Sequence, residues 1–331
     1  MQKVNHYTWE YIQKHPQETK RLLGINFEQL EQLWELGKLN HQKHLDEVEK
    51  KKVRLYRAGG GNHSKLSLEE QIILILIYLR HNLSFQLLGL LFQVSESTAH
   101  NLFNYWQKIF AEDLPPSLLE QVKKLEAPEE IKQELVNYEL IVDSWEQPIE
   151  RPGDPLTQKK HFSGKQKRHT LKNQAIVLPL KLDIVDVVFG QPGPVSDINL
   201  CRQTFRKFDS EQGFLGEKAY LGERQISTPV KKPKNGELTR EQKEDNQVVS
   251  SDRITIEHWI RVLKIFALAR ERFRLHRSRY NSVLSLVCSW VRLRVGALIL
   301  EVIKSPSSGQ TIDVLMRHRF PREMELQTSN P

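Results

Sequence analysis

Leu140-Ile141-Val142-Asp143 is a run of branched apolar residues that ends in a carboxylate. A short unbroken apolar run of this kind reads as a buried strand. An acid at its end stands at the carboxyl edge of a sheet, where α/β folds bind their ligands. Far downstream, Arg253-Ile254-Thr255-Ile256-Glu257-His258-Trp259-Ile260 sets a second carboxylate in a helical pattern, with Arg253 four residues before Glu257 and so on the same face. Arg253 in that position can orient the acid or hold a phosphate. Acids that converge from distant segments on one sheet edge can hold a hard divalent cation. Strand-terminal Asp and helical Glu are each common, so the residues around them decide what the pair means.

Outward from Asp143, residues 174–178 and 184–189 read as further strands. Residues 195–208 suit a helix, 214–218 a short strand, and 238–264 one or two helices. Upstream the chain is helical. Residues 27–56 gather Leu30, Leu33, Trp34 and Leu36 and then turn polar, which predicts a helix with an exposed second half, ended by Gly59-Gly60-Gly61-Asn62. Ser67 with Glu70 three positions on is a capping-box pattern that opens a helix to about His81. A second helix spans Ser84 to Phe92, residues 94–98 make a turn, and Ala99 to Phe110 forms a third with Leu102, Phe103, Trp106 and Ile109 on its apolar side. Three short helices with a tight turn before the last fit a helix-turn-helix, although a plain helical bundle has the same pattern. In the helix-turn-helix reading the third helix enters the DNA major groove, and Ser95, Ser97, Thr98, His100 and Asn101 are the candidates to reach base edges.

At 331 residues with 39% hydrophobic content, the chain predicts two domains, each with a buried core. The formal charge of +8 favours a polyanionic partner. Cys201 and Cys288 are far apart and lack neighbouring metal ligands, so neither a disulfide framework nor a zinc motif is expected. Residues 1–7 lack the apolar core of a signal peptide, and the apolar run 72–79 is too short to span a bilayer. A cytoplasmic, nucleoid-associated protein without a membrane partner is expected.

Basic residues cluster in three places. Lys159, Lys160, Lys165, Lys167, Arg168 and Lys172 crowd the segment after Asp143, interrupted by His161, Phe162 and His169. Such a loop beside the acids can neutralise phosphates. Lys231, Lys232 and Lys234 form a second cluster, and Arg270, Arg272, Arg274, Arg277 and Arg279 a third, before an apolar helix.

Several segments in order carry a resemblance. They are Val142-Asp143-Ser144-Trp145-Glu146-Gln147-Pro148-Ile149-Glu150-Arg151-Pro152, Phe162-Ser163-Gly164-Lys165, Pro192-Gly193-Pro194-Val195-Ser196-Asp197, Tyr220-Leu221-Gly222, Pro229-Val230-Lys231-Lys232-Pro233 and Ser250-Ser251-Asp252-Arg253-Ile254-Thr255-Ile256-Glu257. From about Leu66 to Val287 the chain resembles the insertion-sequence transposases of the DDE superfamily. The resemblance implies an α/β ribonuclease H-like catalytic domain preceded by an all-α helix-turn-helix domain. With Pro115-Pro116 and the charged run 123–134 as the break, the domains read as an N-terminal helical region at 1–61, the helix-turn-helix at 62–112, a linker at 113–137, the endonuclease domain at 138–290 and an unassigned extension at 291–331. The resemblance further implies DNA hydrolysis and strand transfer at the ends of a mobile element, with double-stranded DNA as partner and self-association on it. Asp143, Glu217 and Glu257 become the catalytic ligands of Mg2+, for which Mn2+ can substitute.

Glu217 departs from the family, which carries aspartate there, while its separation from the last acid, 257 − 217 = 40, keeps the family register. The extra methylene moves the carboxylate by roughly 1 Å, an error that can cost ~100-fold in rate. Weak or absent catalysis is therefore expected, with Asp197 and Asp209 as possible substitutes. The rival expectation is a non-catalytic DNA-binding descendant. A nuclease with another nucleic acid substrate is a third.

Overall fold

The computed structural model describes residues 7–51, 64–124, 128–179, 183–233 and 236–298. The chain separates into two compact units, Met1–Leu114 with Ile265–Arg270, and Pro115–Lys264 with Glu271–Pro331.

The first unit is helical: α1 (Tyr7–Lys14), α2 (Thr19–Leu23), α3 (Phe27–Lys50), α4 (Leu68–His81), α5 (Phe85–Phe92) and α6 (Glu96–Asp113), joined by the one-turn α12 (Ala267–Arg270). At its centre is α4, in which every residue from Ile72 to Leu79 is buried. Both halves of the capping box form, Ser67 Oγ accepting from the Glu70 amide and the Glu70 carboxylate from the Ser67 amide. Helices α1, α2, α3, α6 and α12 all contact α4. Phe266 is fully buried against Gly24, and the Arg80 guanidinium donates to the Ile265 carbonyl. No helix among the described residues is long and apolar enough to cross a membrane.

The second unit is a mixed sheet with helices. In chain order it runs α7 (Leu118–Lys124), α8 (Pro128–Leu135), β1 (Leu140–Pro148), α9 (Pro155–His161), β2 (Phe162–Ser163), β3 (Arg168–Leu178), β4 (Asp183–Pro192), α10 (Asp197–Phe205), β5 (Phe214–Leu215), β6 (Ile226–Ser227), α11 (Arg240–Leu263) and α13 (Tyr280–Arg294). The strand order is β4-β3-β1-β5-β6, with β2 paired to the start of β3. Strands β1, β3 and β4 are antiparallel, whereas β5 and β6 run parallel to β1.

The stretch expected to be a linker, 113–137, is corrected: α7 and α8 bury Leu118, Leu119, Val122, Ile131 and Leu135 in the same core as Val142, Ile176, Val185 and Phe214. Short amphipathic helices gain their stability from the sheet they cover, which is why polar composition alone suggested a connector. Strand β1 also continues past Asp143, because Trp145 and Gln147 alternate inward. At the heart of this unit the fully buried Arg292 donates to both carboxylate oxygens of the fully buried Asp183, at 2.7 and 3.1 Å. Its other bonds go to Pro115 O, Ser117 O and Gln121 Oε1.

Candidate active site

The predicted acids lie on three separate segments. Asp143 lies on β1, the central strand, half-buried. Strand β5 pairs with β1 in the register Leu140 to Phe214 and Ile141 to Leu215. Glu217 lies two residues beyond that pairing, near enough for its charge to act on Asp143. Gly216 lets Tyr220 and Ile226 close on this turn, since a Cβ there would meet the Tyr220 ring at 2.7 Å and Ile226 at 2.9 Å. Tyr220 in turn ties this turn back to β1, its hydroxyl 3.0 Å from Ser144 Oγ. Glu257 comes from α11, which buries Ile256, Trp259 and Leu263 and leaves the acid exposed.

The packing of α11 against β1 explains Trp145, a residue larger than the family usually carries after the first acid. Its ring stands 6.1 Å from that of Trp259, and both are buried. Each tryptophan lies two residues from an acid, so the aromatic pair helps to fix how Glu257 stands relative to Asp143.

Arg253 occupies the space among the acids. Its Nη2 is 2.5 Å from Glu217 Oε1 and 3.9 Å from Glu257 Oε1, while its Nε is buried without a hydrogen-bond partner among the described residues. Among the described residues Asp143 has no such cation in contact. Burial pushes its carboxyl up to about 6, opposed by a 2.7 Å hydrogen bond from the Ser144 amide. Glu217 and Asp197 raise it further, and Arg253 lowers it. Asp197 therefore lies near the acids, but it is ion-paired to Lys172 at 2.9 Å. Asp209 accepts from the Glu211 amide in a loop and is not among the groups that shift Asp143.

Among the described residues no three acidic, histidine or cysteine side chains stand close enough to hold a metal ion. The donor chemistry nonetheless fits a hard divalent cation: three carboxylates from three elements, one of them raised by burial without a countercharge in contact. Arg253 engages the other two, so a closed ligand set requires Glu217 to leave the guanidinium.

The predicted DNA contacts divide. Lys159 and Lys160 are exposed on α9, as are Lys165 and Lys167 in the β2–β3 turn and Arg168 at the start of β3. Lys172 is not on that surface: it is buried on β3 and donates to Val195 O and Asp197. Lys231 and Lys232 are exposed, and Lys234 lies outside the described residues. On α6, Ser97, Thr98 and Asn101 are exposed. The Ser95 hydroxyl is engaged as the N-cap, accepting from the Thr98 amide at 3.1 Å, and His100 packs edge-on against Phe85.

Sequence reasoning overlooked the support of this site. Thr170 Oγ1 donates to Glu146 at 2.6 Å, and Gly193 sits so close to Thr170 that no Cβ fits between them. Gln174 joins Cys201, Thr204 and Ser144. The signal that could have found Glu146 and Gln174 is the period-two spacing that puts Ser144 and Glu146 on one face of β1 and Thr170, Lys172 and Gln174 on the matching face of β3.

Two sequence families match the chain: residues 142–291 match the DDE superfamily endonuclease, and residues 64–116 the helix-turn-helix of DDE superfamily endonuclease. The chain is 32% identical over 240 residues to a protein described as the probable transposase for insertion sequence element IS702 of Microchaete diplosiphon, a match that spans 71% of this chain and 81% of that protein. A likeness to a chain in the crystal structure of a pre-cleavage Mos1 transpososome covers 77% of this chain and 86% of the other at 11% identity, with a TM-score of 0.16, too low to show a shared fold. The identity to the IS702 protein over most of its length, together with both family matches in order, shows that the chain belongs to the insertion-sequence transposases of the DDE superfamily.

Proposed function

We propose that the protein binds duplex DNA at the ends of its own element and carries out phosphodiester hydrolysis and strand transfer there, in the cytoplasm, with Asp143, Glu217 and Glu257 as ligands of Mg2+ or Mn2+. What supports this reading is that Arg253 pairs with Glu217 and Glu257, from two separate segments, and that Glu217 and Arg253 both act electrostatically on Asp143. A ribonuclease H-like fold is supported by the order β4-β3-β1-β5-β6, three antiparallel strands followed by two parallel to the first. When bound, the divalent cations would supply Lewis-acid activation of the attacking oxygen and stabilise the leaving one. Asp143 holds negative charge within β1, Arg253 positions the two glutamates, and the tryptophan pair sets the approach of α11 to β1.

Exposed Ser97, Thr98 and Asn101 suit base-edge contacts from α6, and the lysines of α9 and the β2–β3 turn suit phosphates. Joining two element ends needs two copies of such a site, so self-association on DNA belongs to this proposal.

One observation favours a second reading, a DNA-binding descendant without catalysis. Glu217 is held by Arg253 at 2.5 Å where the family has the shorter aspartate. Cleavage of DNA carrying the repeats that flank the gene, in Mg2+ or Mn2+, separates the two. Cutting by the native protein that disappears in Glu257→Ala supports the active enzyme with glutamate at 217. Binding with cutting only in Glu217→Asp identifies the descendant, and no binding by any version refutes both.

A further inference from the structure

A groove of about 620 Å3 opens on the second unit beside the end of β1. One wall is backbone, Ile149 bridging to Phe273 and the Phe273 amide donating to Pro148 O at 2.9 Å. Arg151, Arg274 and Arg277 line it.

Two of these guanidiniums are held in an unusual way. Arg151 donates from Nε and Nη2 to Gln158 Oε1 at 3.2 and 3.0 Å, and the Gln158 amide is fixed by its own bond to Pro152 O at 2.8 Å. Arg277 Nη1 stands 3.4 Å from His161 Nε2. The other ring nitrogen, Nδ1, is 2.9 Å from Thr157 O, an acceptor, so Nδ1 carries the proton and Nε2 accepts from Arg277. Burial keeps this imidazole below its ordinary range, and Arg277, Lys160 and His169 lower it further against the Thr157 bond. Gln158 and His161 are three residues apart on α9, one face of one short helix.

Both arginines are thus oriented by neutral partners, and among the described residues neither has an ion pair with a carboxylate. Arg253 and Arg292 each do. The two acids that line the groove are engaged elsewhere, Glu150 by Arg272 at 3.0 Å and Asp154 by the Thr157 amide at 2.7 Å. What is left is two exposed, positioned guanidinium forks with their charge uncancelled, the geometry that suits phosphate oxygens.

Ile149 is six residues beyond Asp143 along the strand and so on the same face, about 20 Å away at ~3.3 Å per residue. A duplex lying along β1, advancing ~3.4 Å per base pair, would cover that distance in about six base pairs. We propose that this groove grips the sugar-phosphate backbone of bound DNA about six base pairs from the reacting phosphate. The inference rests on the transposase reading above and adds a subsite to it.

The test measures binding of the full chain to a duplex carrying its terminal repeat by fluorescence anisotropy over a salt series. Arg151→Gln with Arg277→Gln is compared with Lys123→Gln with Lys132→Gln, which removes equal charge from α7 and α8. The slope of log affinity against log salt should become shallower by ~0.9 for each phosphate lost, so by ~0.9 to ~1.8 in the arginine variant alone. Ethylation interference about six base pairs from the cut should vanish in it, and circular dichroism should show an unchanged melting midpoint. An unchanged slope, or an equal change in the lysine variant, overturns the proposal while leaving the transposase reading intact. Stabilisation of the native protein by inorganic phosphate alone, lost in the arginine variant while the DNA slope stays fixed, reassigns the groove to a small phosphorylated ligand and also overturns it. Failure of the native protein to bind any duplex refutes both readings.

Discussion

Replacing Asp143 with asparagine should make the metal-free protein more stable, although it removes a residue at the centre of the proposed chemistry. The carboxyl is raised from 3.8 to about 6 by burial, with Glu217 and Asp197 adding to the effect. A group whose folded pKa lies above its unfolded value stabilises fully below the unfolded pKa and loses that contribution as pH rises through the folded one. The difference, ~2.2 pH units at ~1.36 kcal/mol each, is a penalty of about 3 kcal/mol once the pH is well above 6. Near pH 5 the same linkage leaves roughly half of that penalty. Asparagine is nearly the same size and carries no charge, so it removes the penalty and keeps the packing. For a unit of roughly two hundred residues, 1 kcal/mol moves the midpoint by about 2–4 °C, and the predicted rise is ~6–12 °C near neutral pH and about half that near pH 5. The assay is thermal unfolding followed by circular dichroism in chelator at both pH values. An Asp143→Asn protein that melts at or below the native midpoint near pH 7.5, or whose gain does not shrink on acidification, refutes the reasoning.

Two other perturbations test the frame around the site. Asp183→Ala strands the buried Arg292 guanidinium and should cost about 3–5 kcal/mol in urea unfolding, while Arg292→Met combined with Asp183→Leu should recover most of it; a single-variant loss under ~1 kcal/mol would contradict the role given to the pair. Gly193→Ala should drive Thr170 off the Glu146 carboxylate at a cost of about 1–3 kcal/mol, and adding Thr170→Ala should relieve the crowding, which chemical denaturation of the two variants would reveal.

What was legible in the sequence was local. The capping box at Ser67 and Glu70 marks α4 because its chemistry is complete within four residues. The apolar run ending at Asp143 announces β1, and the spacing of Arg253 and Glu257 requires them to share a helix face. Signals of the same kind went unused: Asp154 before Pro155 caps α9, and Thr239 with Gln242 makes the capping box that opens α11. The contacts that join remote segments had no local signature. Arg292 finds Asp183 109 residues away, and Lys172, one basic residue among several in the sequence, turns inward to Asp197 because strand alternation puts it on that face. Trp145 looked like a departure from the family at position 145 and becomes intelligible only beside Trp259.

The assignment of Ile265–Arg270 to the helical unit has a consequence for how this protein can be taken apart. The chain crosses between its two units three times, after Leu114, after Lys264 and after Arg270. A fragment that stops at Leu114 keeps α1 to α6 but loses α12 and with it Phe266, Leu268 and Ala269, each buried there, so the face of α4 and the turn at Gly24 would be laid open to water. The helix-turn-helix half of such a protein is not a cassette that can be exchanged at a single joint. Its last structural piece is encoded after Glu257, so a recombination event that swaps one half without the other yields a helical unit with a hole in its core.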